Sequence, residues 1–176
     1  IPTVIYGFVG IFLLVPVIRE FFQGGSGMCI LTAALMLGVL ISPTMILFFC
    51  DSFDRVPRSY IDAAYSLGAN RLQTLLYVIL PSAREGIVIG VLLAFGRAMG
   101  DTLVSLMIAG NSIAEPKSIL DSVRTLTAHI ALVIAADYES PEFRSIFACG
   151  LVLYLFITIV ILAVRRLAFR NSEERA

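Results

Sequence analysis

Arg97 and Asp101 stand four residues apart inside a run, Gly86 to Ala109, that is otherwise apolar or small. A guanidinium is permanently charged and offers a planar fork of N–H donors suited to an oxyanion. A carboxylate one helical turn away could balance it at rest. That carboxylate could also accept a hydrogen bond from a protonated oxyanion such as hydrogen phosphate, which sulfate at neutral pH cannot offer. One ionisable side chain at the centre of a membrane span costs about 2.5 to 3.5 kcal/mol, so two of them need a reason. Gly96 and Gly100 flank the pair on one side and Ala98 and Thr102 on the other, while Gly86, Gly90, Ala94 and Ala98 form a small-residue stripe. Such stripes let helices approach closely, so the pair is expected to face protein or a water-filled path. Two readings stand on this chemistry: an ion pair that fixes helix packing, or a substrate path lined by Arg97, Asp101 and Thr102.

The elements that must position these residues follow from composition. The 176 residues are 59% hydrophobic and 15% charged, with a mean hydropathy of +0.93. This is too little polar surface to cover a water-soluble globule, so the chain reads as an all-α, polytopic transmembrane bundle bathed in lipid. Its formal net charge is zero, so no basic face for nucleic acid is implied. Four segments meet the length of roughly 20 apolar residues for a spanning helix: Ile1 to Ile18, Met28 to Cys50, Gly86 to Ala109 and Ile146 to Val164. Cys29, Cys50 and Cys149 all fall inside apolar runs without metal-like spacing and read as small buried hydrophobes. The chain begins within an apolar run, with neither an initiator Met nor a basic leader. The domain, residues 1–176, is therefore expected to be incomplete at its N-terminus.

Arginine and lysine set the orientation. Placing the 51–85 loop and the C-terminal tail together collects Arg55, Arg58, Arg71, Arg84, Arg165, Arg166, Arg170 and Arg175, against Arg19, Lys117, Arg124 and Arg144 on the opposite face. The excess puts the loop and the tail in the cytoplasm. Between Asn111 and Arg144, Ser118 and Asp121 have capping-box spacing, and Leu120, Val123, Thr127, Ile130 and Ile134 recur helically. The spacing predicts a helix over 118–136, interfacial or re-entrant on the outer side, because a fifth span would carry the arginine-rich tail outside. His129 on it reads as a structural residue, since no second metal-type ligand has a fitting spacing.

In the loop, Pro57 favours a helix start just after it, and Gly68 permits a turn. Leu72, Leu75, Leu76 and Ile79 are expected on a second helix that Pro81 ends. Two short helices with small residues at Ala63 and Ala64 make a knob that can enter a groove on another protein. Apolar spacing alone equally fits a membrane-surface hairpin joining two spans.

The order Asp62-Ala63-Ala64, Gly68, Val78, Leu80-Pro81 resembles the EAA loop of ABC importer permeases, with Asp62 where the family usually has Glu and Val78 where it usually has Ile. Arg97-Ala98-Met99-Gly100-Asp101-Thr102 followed by Ile108-Ala109-Gly110-Asn111 resembles the Arg-Ala-x-Gly-Glu-Thr segment of phosphate ABC transporter permeases. So does the opening Pro2-Thr3-Val4-Ile5-Tyr6-Gly7, and Thr125-Leu126-Thr127-Ala128 extends the likeness. The residues after Thr102 look more like the PstC type than the PstA type. Asp101 is shorter by one methylene than the family's Glu.

The resemblance implies an inner-membrane subunit forming the path for inorganic phosphate. It implies that Asp62, Ala63, Ala64, Gly68, Leu80 and Pro81 couple to cytoplasmic ATP-binding subunits. A second permease subunit and an extracytoplasmic phosphate-binding protein would complete the assembly. No phosphate-binding loop of the Gly-x-x-x-x-Gly-Lys type occurs. The chain is thus expected to bind no cofactor or metal and to be no enzyme, ATP being used by a partner. The alternatives are a permease for molybdate or sulfate, or a non-transporting scaffold or sensor.

The orientation is testable with single cysteines at Ser59, Ser118 and Ser172, in a background lacking the native three. Positions 59 and 172 should react with an impermeant thiol reagent from the cytoplasmic face and position 118 from the opposite face. Labelling of 118 from the cytoplasm would refute the arrangement.

Overall fold

The structure, a computed structural model, describes residues 2–22, 25–134 and 141–173. These residues are helical or irregular, with one isolated bridge between Gly110 and Val123. In chain order the α-helices are α1 (Thr3–Val9), α2 (Val15–Phe22), α3 (Ile30–Asp54), α4 (Arg58–Ser66), α5 (Arg71–Thr74), α6 (Leu80–Met99), α7 (Leu103–Ile108), α8 (Leu126–Val133) and α9 (Pro141–Glu173). Short π-helical segments, Gly10–Leu14 and Leu75–Ile79, join α1 to α2 and α5 to α6. Among the described residues four continuous stretches are long and apolar enough to cross a membrane: Thr3–Phe22, Ile30–Asp54, Arg71–Met99 and Phe143–Val164. The all-α polytopic architecture expected from composition is the one observed.

The spans differ from expectation by up to four residues at their ends, and the third by more. The third span begins at Arg71, not Gly86, and ends at Met99, not Ala109. Pro81 therefore does not end a helix; it lies near the start of α6 inside a continuous one. A proline lacks an N–H and its ring crowds the carbonyl four residues back, and a wider π turn just before it relieves both problems. The same device occurs twice, since Gly10–Leu14 precedes Pro16 as Leu75–Ile79 precedes Pro81. Beside Pro81, the Ser82 hydroxyl donates to the Val78 carbonyl at 2.6 Å, supplying an extra donor where the ladder is interrupted.

The chain forms two compact units, one of residues 1–41 and 97–159, the other of residues 42–96 and 160–176. In the first, Val15, Met36, Leu40, Val104 and Ile108 make a buried apolar cluster. The short helix α7 is its centre, with Val104 and Ile108 fully buried. Gly10 makes this possible, because a Cβ there would strike the Ile108 side chain. The start of α3 is held by the chain that follows α7. Ile30 N–H donates to the Asp121 carbonyl at 3.1 Å and Leu31 N–H to the Ile119 carbonyl at 3.0 Å. These contacts satisfy amides that a helix N-terminus leaves unpaired.

In the second unit α6 lies against α3 along the small-residue stripe. Gly86 faces Ser52, and Gly90 faces Phe48 and Phe49. Between hydrocarbon-bathed helices such close approach, not expulsion of water, holds the pair. A Cβ at Gly90 would lie 2.8 Å from Phe48 Cβ, whereas one at Gly96 would meet nothing within 4 Å. Gly90→Ala should therefore destabilise the solubilised protein by about 1–3 kcal/mol through overpacking. Gly96→Ala should be neutral or stabilising by up to about 1 kcal/mol from helix propensity. Thermal unfolding in detergent compares them, and equal shifts would contradict the packing described.

Candidate functional site

Helix α6 ends because the residues after Met99 favour other uses of the backbone. Gly100 has no side chain to stabilise a further turn, and the short carboxylate of Asp101 competes for local amides. Asp101 N–H still donates to the Ala98 carbonyl at 3.2 Å. Its Oδ2 then accepts the Val104 N–H at 2.9 Å, capping the start of α7. The helix is thus broken over 100–102, and the ladder resumes with Leu106 N–H donating to the Thr102 carbonyl at 2.8 Å.

The break overturns the expected geometry of the charged pair. Arg97 and Asp101 do not share a helical face, and no ion pair joins them. Arg97 is exposed near the end of α6, while Asp101 and Thr102 are half-buried in the break. The break takes Asp101 out of the helix that carries Arg97, so the i, i+4 register that would bring the two charges together is lost. Asp101 and Thr102 are brought together; Arg97 stands apart from both.

Three hydroxyls to which the sequence spacing assigns no role, those of Ser105, Thr125 and Thr127, hold the break. Ser105 Oγ–H points to the Thr102 and Asp101 carbonyls at 3.0 and 3.2 Å. Thr125 Oγ–H donates to Ser105 Oγ at 3.2 Å, and Thr127 Oγ lies 3.3 Å from the Asp101 carbonyl and 3.1 Å from Thr125 Oγ. Asp101, Ser105 and Thr127 line a cavity of about 250 Å³ whose other walls include Leu37, Leu126 and Leu153. Its hydroxyl hydrogens are directed at protein oxygens, while among the described residues Asp101 Oδ1 accepts no hydrogen bond. The cavity offers acceptors rather than donors.

The segment after α7 also departs from expectation, since helix α8 starts at Leu126 and residues 118–125 are not helical. Asp121 Oδ2 does accept the Ser118 N–H at 2.8 Å, and the Lys117 N–H at 2.7 Å, but the contact closes a turn. The helix is started instead by Thr125, whose Oγ accepts the Ala128 N–H at 3.2 Å. The predicted end of that helix, at 135 and 136, lies outside the described residues. His129 Nε2 meets Ser145 Oγ at 2.8 Å. Among the described residues no group of three or more His, Cys, Asp or Glu could hold a metal ion.

In the loop, α4 starts after Pro57 and carries Asp62, Ala63 and Ala64. Gly68 has φ +82°, its N–H donates to the Tyr65 carbonyl at 2.9 Å, and Ala69 N–H donates to the Ala64 carbonyl at 3.0 Å. This is a Schellman ending, which needs a left-handed residue where Gly68 sits. Asn70 and Gln73 then form a reciprocal capping box, both bonds 2.9 Å, that starts α5. Ala64 is 8% exposed and Thr74 1%, anchoring the two helices, whereas Tyr60 and Leu67 are 57% and 89% exposed. Tyr60, Ala63 and Leu67 recur at helical spacing, so the loop presents a small apolar knob. Leu80 and Pro81 lie further along the continuous helix that starts at Arg71, away from the turn.

Residues 1–173 match the family model described as binding-protein-dependent transport system inner membrane component. The chain is 36% identical over 173 residues to the probable ABC transporter permease protein YqgH of Bacillus subtilis, covering 98% of this chain and 56% of that protein. It is 31% identical over 197 aligned positions to the phosphate transport system permease protein PstC of Haemophilus influenzae, covering 99% and 61%. It is 29% identical over 178 to the probable phosphate transport system permease protein PstC of Methanocaldococcus jannaschii, covering 91% and 56%. The chain therefore spans little more than half the length of these relatives. No solved structure gives a significant match.

The capping role of Asp101 separates charge from hydrogen bonding. Asp101→Asn keeps an acceptor for Val104 N–H and should retain most of the stability, whereas Asp101→Leu removes the cap and should cost about 1–2 kcal/mol. Thermal unfolding of the two variants in one detergent checks this. A destabilisation of Asp101→Asn as large as that of Asp101→Leu would show that the carboxylate's charge, not its acceptor, holds the break.

Proposed function

The chain belongs to the family of binding-protein-dependent transport system inner membrane components, and from that premise we propose that it is the PstC-type permease subunit of an ATP-driven phosphate importer. It is a multi-pass protein of the inner membrane. On this reading it works beside a second permease subunit and receives phosphate from an extracytoplasmic binding protein. Cytoplasmic ATP-binding subunits carry out hydrolysis. The phosphate assignment draws support from the similarity to the phosphate transport system permease protein PstC of Haemophilus influenzae and the probable PstC of Methanocaldococcus jannaschii.

The observation that carries the coupling role is the exposed knob of Tyr60, Ala63 and Leu67, set at a fixed angle by Gly68 and the Asn70–Gln73 capping box. A knob so built is suited to a groove on a partner, because its apolar face is unpartnered while its backbone is already satisfied. Helix α5 leads from it without interruption into α6, the helix that bears Arg97. On the proposed reading, displacement of the knob by the ATPase moves that helix. Arg97, unpaired with Asp101, then offers its guanidinium to the anion in the path, which Asp101 and Thr102 line at a separate point.

Reconstituting the full-length protein with its partner subunits in vesicles tests the reading. Uptake of radiolabelled phosphate should require ATP and the binding protein and should resist excess sulfate or molybdate. Competition by either oxyanion at equal potency would overturn the phosphate assignment, and uptake without ATP the importer class. Gly68→Val places a β-branched residue at a positive φ, costing about 1–2 kcal/mol there. Membrane insertion should survive while ATPase association or coupled uptake falls several-fold. Parental uptake by this variant would remove the coupling role from the loop.

A further inference from the structure

A second cavity, of about 380 Å³, opens in the unit of residues 1–41 and 97–159, between the 112–116 segment and the start of α8. Its polar lining comes from Ser112, Glu115, Arg124, Thr125 and His129, the Thr125 hydroxyl being engaged by Ser105 and Ala128, and Cys149 of α9 is also on its wall. The guanidinium of Arg124 is the informative group. Arg124 is half-buried, and its Nε–H donates to the Asn111 carbonyl at 3.2 Å, which fixes the plane of the fork. Among the described residues no acceptor meets the N–H groups of its two terminal nitrogens, and Glu115 on the same wall forms no ion pair with it.

A guanidinium anchored at Nε with both terminal nitrogens unspent, on the wall of a cavity, has the geometry that takes an oxyanion by two parallel hydrogen bonds. Other groups add to the positive potential. Ser112 Oγ accepts the Ala114 N–H at 3.2 Å, leaving its own hydrogen to be donated. The first amides of α8, at the Thr125–Leu126 edge of the cavity, lie at the positive end of that helix. His129 is held through Nε2 by Ser145, and Glu115, an exposed side chain, is the one carboxylate on the lining. The cavity beside Asp101 has the opposite character, with its hydroxyl hydrogens already directed at protein oxygens and a carboxylate on its wall.

We propose that the Arg124 cavity is an oxyanion-binding site, distinct from Arg97, that takes inorganic phosphate or an oxyanion of similar size through a bidentate Arg124 contact with Ser112 as a further donor. The site concerns binding alone, so it stands whether or not the chain transports phosphate.

Cys149 is a built-in reporter, being a half-buried free thiol on the cavity wall. In the full-length protein in nanodiscs, alkylation of Cys149 is followed by peptide mass spectrometry under graded inorganic phosphate at constant ionic strength. Phosphate should slow the reaction several-fold at saturation. Arg124→Gln should raise the half-protecting concentration by roughly tenfold or more, the factor corresponding to about 1.4 kcal/mol. Arg124→Lys, which keeps the charge and loses the fork, should also raise it, and Glu115→Gln should lower it. Lys117→Gln, which removes an exposed charge nearby, should leave it unchanged. Two of these variants probe the site even if Arg124→Gln does not fold. Absence of protection in the parent, or protection unaltered by the Arg124 and Glu115 variants, would overturn the proposal.

Discussion

The acceptance of the Val104 N–H by the Asp101 carboxylate at 2.9 Å is the contact on which the unit of residues 1–41 and 97–159 depends. It ends one helix and begins another within three residues. Helix α7 can then bury Val104 and Ile108 in the apolar cluster with Val15, Met36 and Leu40, and Ser105 can sit beside the Thr125 that starts α8. The chain beyond α7 returns to pair Asn111 with Val123 and to supply the carbonyls of Ile119 and Asp121 to the first amides of α3. A continuous helix through Asp101 would forgo all of these. Across the break Arg97 forms no ion pair with the partner that its sequence spacing offers. That isolation gives its permanent charge a use on the proposed reading.

Helix interruptions elsewhere are handled differently. At Pro16 and Pro81 the helix widens for one π turn and continues. At Gly68 it stops, because a left-handed residue closes α4 and a capping box opens α5. The distinction is physical. A proline removes one donor from a ladder that can be re-registered, whereas a Schellman ending followed by an N-cap satisfies both helix termini and makes the stop stable. The loop consequently has a defined shape before any partner arrives, which lowers the ordering cost of docking.

Local features of the fold were legible in the sequence, and features that depend on tertiary contact were not. Pro57, Gly68 and the small-residue stripe could be read because each acts through its own backbone or its own lack of a side chain. The Asn70-x-x-Gln73 box was also open to reading and was missed. The helix break was hidden because apolar residues run on through Leu103 to Ile108, and only Gly100 and Asp101 signal that the direction changes. The helix expected over 118–136 is present from Leu126 to Val133, and its first part, 118–125, is absent for a related reason. Ser118 and Asp121 make half of a capping contact, but the carbonyls of Ile119 and Asp121 are drawn to the start of α3 and not into a helix of their own. The hydroxyl chain of Ser105, Thr125 and Thr127 joins residues far apart in sequence, so no local spacing could reveal it.

The central claim is that Arg97 acts on the anion independently of Asp101, and a double variant tests it most directly. Phosphate uptake by the reconstituted assembly is compared for Arg97→Gln, Asp101→Asn and both together, at matched levels of membrane protein. If Arg97 meets the anion while Asp101 holds the break, Arg97→Gln loses uptake and the double variant remains as inactive. Recovery of uptake when both charges are removed would mean that the two residues chiefly neutralise each other, and would contradict the account.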